Sequence, residues 1–238
     1  MTIDHVSILR SVSGELGRRA EANPDLPIPE CPGWTATDVI RHIGQVYAMV
    51  AAIVAERSLE YVAPGPESTP PTTGIETWFA ERRAVVADLL AAIDPDTPVW
   101  TWSSNRTVGF YHRRMLHETV VHLGDIERAL GLEIDVDRAV ALDGIDEFFD
   151  VVLPFALARD RSTLPDGSLH LHCTDGDGEW MVRIEDGAPR LTHEHAKGDV
   201  AWRGAASDLY FAAWGRWSTR IEALGDPVIA EEWKHVAP

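Results

Sequence analysis

An α+β chain, helical in its first half and mixed in its second, is the fold class that three features of this 238-residue sequence predict. Up to about residue 130 the apolar residues recur at three- and four-residue spacing, the period of helices that bury one face. Beyond about residue 160 they alternate with period two between Asp/Gly turns, the period of half-buried strands. A content of 45% hydrophobic residues supplies a substantial core and excludes a disordered acidic tail. The expected division is a four-helix bundle over residues 1–135 and a small α+β domain over 136–238.

The first helix is expected over residues 2–22, where Ile3, Val6, Leu9, Val12 and Leu16 fall on one face and Asn23-Pro24 ends the run. PDLPIPECPGW follows, too rich in proline for a helix or a central strand. Thr35 then stands as an N-cap with Asp38 three residues on, a variant of the capping box, and an apolar helix runs to about Arg57. A Pro/Gly-rich connection at 62–74 leads to a third helix over 75–93, with Trp78, Val85, Val86 and Leu89 inward. After DPDTPVWTWSSNRT a fourth helix is expected from Tyr111 to Leu130, closed by Gly131. The second half reads as a helix over 138–158, strands at SLHLHCTD, EWMVRIED, APRLTHEH and DVAWRG, a helix at AASDLYFAAWGRW, and an irregular tail. No repeat or low-complexity tract interrupts either half.

Acidic side chains number 38 against 21 basic ones, a formal charge of −17. Phosphate backbones and anionic bilayers both need a basic surface, so nucleic acid and membrane are excluded as partners. An anionic substrate would have to be met by a local arginine or a metal. The N-terminus MTIDHVSILR lacks an apolar run of signal length, and a cytoplasmic location is expected. Two cysteines, Cys31 and Cys173, make neither a disulfide framework nor a Cys-rich zinc site, and both read as packing residues. Gly-rich phosphate loops, dinucleotide fingerprints and nucleophile elbows are absent from the sequence.

Ten histidines concentrate the chemistry. Glu118 and His122, four residues apart on the fourth helix, project from one face. His42 lies in the apolar second helix, where a buried imidazole needs a partner. Together they could form a two-His, one-Glu site with an open position, the arrangement of catalytic zinc, while His42 alone could equally be a hydrogen-bonded core histidine. Asp125 could orient an imidazole or pair with Arg128; Arg114 is one turn from Glu118; His117 points away from these candidate ligands, toward outer support or the bundle surface. His170 and His172 share one strand face and His193 and His195 another, which could gather four imidazoles into a second metal site or simply leave them on the surface. The nine tryptophans fall at junctions, including Trp34, Trp100, Trp102, Trp202, Trp214 and Trp217, where they would pack cores, dock the domains or line a cleft.

The segments CPGWTATDVIRHIG (31–44) and RRMLHETVVHLGDIERALG (113–131) resemble the mycothiol-dependent maleylpyruvate isomerase family. The resemblance covers nearly the full length and implies a DinB-like four-helix bundle followed by a sterol-carrier-like α+β domain. It implies that His42, Glu118 and His122 bind a divalent metal, usually zinc, and that the thiol cosubstrate is mycothiol. It also implies that an arginine in the WGR segment meets the substrate carboxylate; here that is Arg216, with Arg220 one turn on as a weaker candidate. In that family the thiolate is thought to add to an activated double bond, permit rotation and leave, whereas relatives transfer the thiol permanently to an electrophile. The expected function is therefore a metal-dependent isomerase or mycothiol S-transferase. The alternatives are a hydrolase using metal-bound water and a non-enzymatic small-ligand-binding protein. In so acidic a chain, positive potential is expected where His42, Glu118, His122 and Arg216 converge.

Overall fold

Asp4 accepts the Ser7 amide through its carboxylate and so caps the first helix, α1 (His5–Ala22). The computed structural model describes residues 3–237, so Thr2, at the expected start of this helix, lies outside the described residues. Thr35 caps α2 (Ala36–Glu56) in a complete capping box: its side chain takes the Asp38 amide and the Asp38 carboxylate takes the Thr35 amide. Arg57 closes α2 in the left-handed region. The proline-rich entry to α2 is a set of tight turns tied by a bridge between Pro27 and Thr35, with the Trp34 amide bonded to the Cys31 carbonyl. Helix α3 spans Ile75–Ala92 and α4 spans Val108–Ala129. The latter starts three residues earlier than its apolar pattern implies, because Thr107 leaves the loop through a bridge to Pro98. Gly131, at φ +69°, ends it, with the Leu132 amide reaching back to the Glu127 carbonyl.

These four helices form the first of two compact units, Met1–Ile134. Helix α1 packs on α3 and α4, and α2 packs on α3. The core joins Leu9 and Leu16 of α1, Ile43, Tyr47 and Val50 of α2, Phe79 and Val86 of α3, and Leu116 and Ile126 of α4. By length and composition α2 could cross a membrane, but it is a core helix here, with 56% of its apolar window buried inside the bundle. Val85 departs from its expected inward position: it is 42% exposed, and Leu90, rather than Leu89, is the fully buried leucine at that end of α3.

The second unit is Asp135–Pro238. Its long opening helix is three pieces in succession: α5 (Arg138–Glu147), a π-helical turn (Phe148–Val152) and α6 (Leu153–Leu157). Proline at 154 has no amide to give and its ring crowds the carbonyl four residues back, so the widened turn just before it has a local cause. Five strands follow, β1 (Leu169–Cys173), β2 (Glu179–Glu185), β3 (Ala188–Thr192), β4 (Val200–Gly204) and β5 (Glu222–Gly225), in the order β3-β2-β1-β4-β5. Only β1 and β4 run parallel; the other pairs are antiparallel. Helix α7 (Ala206–Ala213) packs on β1 and β4, and α5 packs on α7. Alternation sends Leu169, Leu171, Trp180, Val182, Val200 and Trp202 into this core and turns His170 and His172 to the opposite face.

Two expectations for this unit are corrected. The tail after α7 is not irregular: it holds β5 and a short helix, α8 (Pro227–Trp233), capped by Asp226. Every residue of β5 is exposed, so no apolar alternation marks it in the sequence. Strand β3 ends at Thr192, which leaves His193 and His195 in the following loop rather than on a strand face.

Gly44 sets the spacing of α2 against α3, since a Cβ there would overlap the buried Trp78 ring, whose indole N–H is tied to the Glu67 carbonyl at 2.8 Å. Alanine inside a helix ordinarily adds about 0.5–1 kcal/mol over glycine. Overpacking of a fixed ring costs about 1–3 kcal/mol. Gly44→Ala is therefore expected to be net destabilising, seen as a lower urea midpoint with an unchanged m-value; a higher midpoint would contradict this packing.

Candidate metal centre

Glu118 and His122 are one turn apart on α4, and His42 projects from the middle of α2. The packing of the bundle brings all three together. His42 Nε2 lies 2.9 Å from Glu118 Oε1, and His122 Nε2 lies 3.8 Å from the same oxygen. One donor atom from each residue falls within 4.8 Å of the other two. The imidazole centroids are 5.2 Å apart, and Trp34, placed by its turn before α2, packs 5.2 Å from His42 and 6.2 Å from His122. That indole is an apolar wall over part of the cluster. A second link between α2 and α4 follows one turn on, where Tyr47 Oη and Thr119 Oγ1 are 2.5 Å apart.

Two supporting groups fix the polar side chains. Arg114 Nη2 donates to Glu118 Oε2 at 2.6 Å, so the carboxylate divides its oxygens, one for the guanidinium and one facing the imidazoles. The arginine therefore does not have to be displaced for Oε1 to serve an ion. Burial opposes ionisation of Glu118, but Arg114, His42 and His122 together outweigh it and hold the carboxyl well below the usual range. Asp125 Oδ2 lies 3.0 Å from His122 Nδ1 and is fully buried. With its N–H on Nδ1, His122 turns the lone pair of Nε2 toward Glu118. Arg128 Nε pairs with Glu30 at 3.2 Å.

The structure sharpens two sequence readings. Of the two alternatives for His117, the bundle surface is excluded, since the residue is wholly buried. Cys31 is more than a packing residue of the loop: its sulfur is 3.7 Å from Asp125 Oδ2, and it can join His122 and Asp125 within the same 4.8 Å limit. The available signal was its place four residues before the capping box, which forces the chain back over the start of α2. In the second unit, Arg216 follows α7 and donates through Nη1 to the Trp214 carbonyl at 2.7 Å, serving the helix C-terminus. Arg220 grips both oxygens of the buried Asp208 at 2.7–3.1 Å. The four-imidazole expectation also changes. His170, His172 and His195 gather around Glu179, while His193 Nε2 turns to Asp146 at 2.8 Å.

Two imidazoles and one carboxylate suit a borderline divalent ion such as zinc, with His122 held in the tautomer that ligation requires. Fold and donor set together define a protein with a candidate divalent-metal centre in a helix bundle, followed in sequence by an α+β unit. Residues 8–127 match the mycothiol maleylpyruvate isomerase N-terminal domain family, and the chain belongs to that family. Two solved structures share its fold: the mycothiol-dependent maleylpyruvate isomerase and a histidine-to-alanine mutant of it. Each is 13% identical, with a TM-score of 0.62 over 92% of this chain and 91% of that one. Comparison with curated proteins finds no match.

The Glu118 carboxyl titrates lower when folded than when unfolded. Its contribution to stability is thus complete above the ordinary value of 4.5 and is lost as pH falls toward the folded value. Arg114→Met removes the cation while burial remains. In metal-free protein this variant should begin to lose stability at a higher pH than wild type, measured as urea midpoint against pH. Superimposable profiles would mean that Arg114 does not hold this charge.

Proposed function

We propose that the chain is a divalent-metal-dependent enzyme, with zinc as the ion, that uses mycothiol as a thiolate against a small electrophile, as an isomerase of the maleylpyruvate type or as a mycothiol S-transferase. The observation that carries this reading is the meeting of His42, His122 and one oxygen of Glu118, in a chain belonging to the mycothiol isomerase family. A divalent ion held by these groups would keep one net positive charge and supply Lewis acidity, which favours thiolate over thiol near neutral pH.

The protein's own residues do the rest. Arg114 keeps Glu118 ionised and its Oε2 occupied, leaving Oε1 as the donor. Asp125 keeps the His122 Nδ1 proton and orients the ring. Trp34 shields one side of the imidazoles from water. A hydrolytic use of the site would need a carboxylate available as general base. Glu118 is engaged by Arg114 and His42, and Asp125 by His122, which favours the thiol chemistry. For the substrate carboxylate we retain Arg216, because Arg220 is already held on two oxygens by Asp208.

Metal analysis and product analysis test this. His42→Ala and His122→Ala should each remove one equivalent of metal from folded protein and abolish mycothiol-dependent turnover. Asp125→Ala should weaken metal binding by about 10–100-fold, as loss of an outer partner of a metal-bound imidazole does. Retention of both metal and turnover in His122→Ala would overturn the assignment. Mass analysis of mycothiol after reaction separates the two outcomes, since unchanged thiol with isomerised product means isomerisation and a stable conjugate means transfer. Arg216→Lys should raise KM for an acidic electrophile while thiol binding stays constant.

A further inference from the structure

We infer that His170, Glu179 and His195, with His172 bonded to the same carboxylate, form a second divalent-metal site contained within the α+β unit. Antiparallel pairing places Glu179 of β2 directly opposite His172 of β1, and therefore diagonal to His170 on the same sheet face. The carboxylate stands between the rings: Oε2 is 2.6 Å from His170 Nε2, and Oε1 is 2.5 Å from His172 Nδ1. The loop after β3 brings His195 back over the strands, its Nδ1 3.1 Å from Glu179 Oε1. The three ring centroids are 5.1–6.2 Å apart. Donor atoms of His170, Glu179 and His195 can be chosen within 4.8 Å of one another.

The electrostatics differ from those of Glu118. Among the described residues every ion-pair partner of Glu179 is an imidazole. Nearby arginines are committed elsewhere, Arg203 to Glu222 and Arg183 to Glu194. With neutral imidazoles the site carries one uncompensated negative charge and, from His170 and His195, two nitrogen donors. Two nitrogens and one carboxylate oxygen suit zinc and its borderline neighbours rather than magnesium or calcium, which take oxygen donors. Access is graded, with the His170 side chain 8% exposed at the floor and that of His195 74% exposed at the mouth. Bound metal would fasten the loop after β3 to the middle of the sheet.

Zinc itself is the probe, titrated into metal-free, full-length protein against a competing chelator. In His122→Ala, which silences the bundle site, one equivalent should still bind, and zinc should raise Tm. Adding His195→Ala, a change at an exposed position, or Glu179→Gln should weaken that equivalent by more than about a hundredfold, beyond the range for loss of an outer partner. His195→Ala alone should leave the bundle equivalent intact, so the two sites fail independently. Exposed His235 is the control, and His235→Ala should change nothing. If His122→Ala binds no zinc, or if loss of His195 and Glu179 leaves its affinity unchanged, the cluster is a hydrogen-bonded histidine network and the proposal is overturned.

Discussion

Glu118 carries a negative charge into the interior of a helical bundle, and the arrangement of α2 and α4 follows from what that charge requires. A buried carboxylate left without a partner is costly, as a buried guanidinium left without one would be. Glu118 and Arg114 answer each other on one side, and the imidazoles of His42 and His122 answer the remaining oxygen. His42 can do so only while α2 keeps its axial register against α4. Tyr47 and Thr119 pin that register, and the close packing of Trp78 on Gly44 holds the outer side of α2. The capping box at Thr35 fixes where α2 begins, and with it the Trp34 wall. Support for the candidate centre is thus spread over three helices and a loop.

Much of this was legible because helices announce themselves locally. The Thr35–Asp38 cap, the Gly131 stop and the four-residue step from Glu118 to His122 depend on nearest turns, and all three stand in the structure. What needed the structure was set by long-range contact or by an absence of pattern. β5 is exposed along its whole length and leaves no period to read. The apolar character of Val85 points inward, yet the phase of α3 turns it to solvent. Cys31 reaches Asp125 across 94 positions of sequence, and no local rule connects them. Sharing of the Glu118 carboxylate between Arg114 and His42 depends on which oxygen faces which partner, something spacing does not encode.

The two histidine clusters reach similar donor sets by different geometry. On α4 a step of four residues stacks glutamate and imidazole on one face, and a second helix supplies the third group. On the sheet a step of two keeps His170 and His172 on one face, and strand pairing sets the glutamate between them. The difference lies in the countercharge: an arginine is built into the first, whereas among the described residues the ion-pair partners of the second are imidazoles. An overall charge of −17 deepens that contrast, because unbalanced carboxylates in such a field draw cations rather than anions.

The π-helical turn at Phe148–Val152 bears on how this chain can change over time. Such a turn amounts to one extra residue within an α-helical path, closed here by the Leu153 amide on the Phe148 carbonyl. Phe148 meets Trp214 and Phe149 meets Trp233, so the side chains of this turn are locked to the end of the unit. Deleting a single residue there would restore ordinary winding and rotate everything beyond it by about 100° relative to the preceding helix. The segment is therefore a phase counter: the number of residues between Arg138 and Leu157 is constrained by angular position, and insertions or deletions belong outside it.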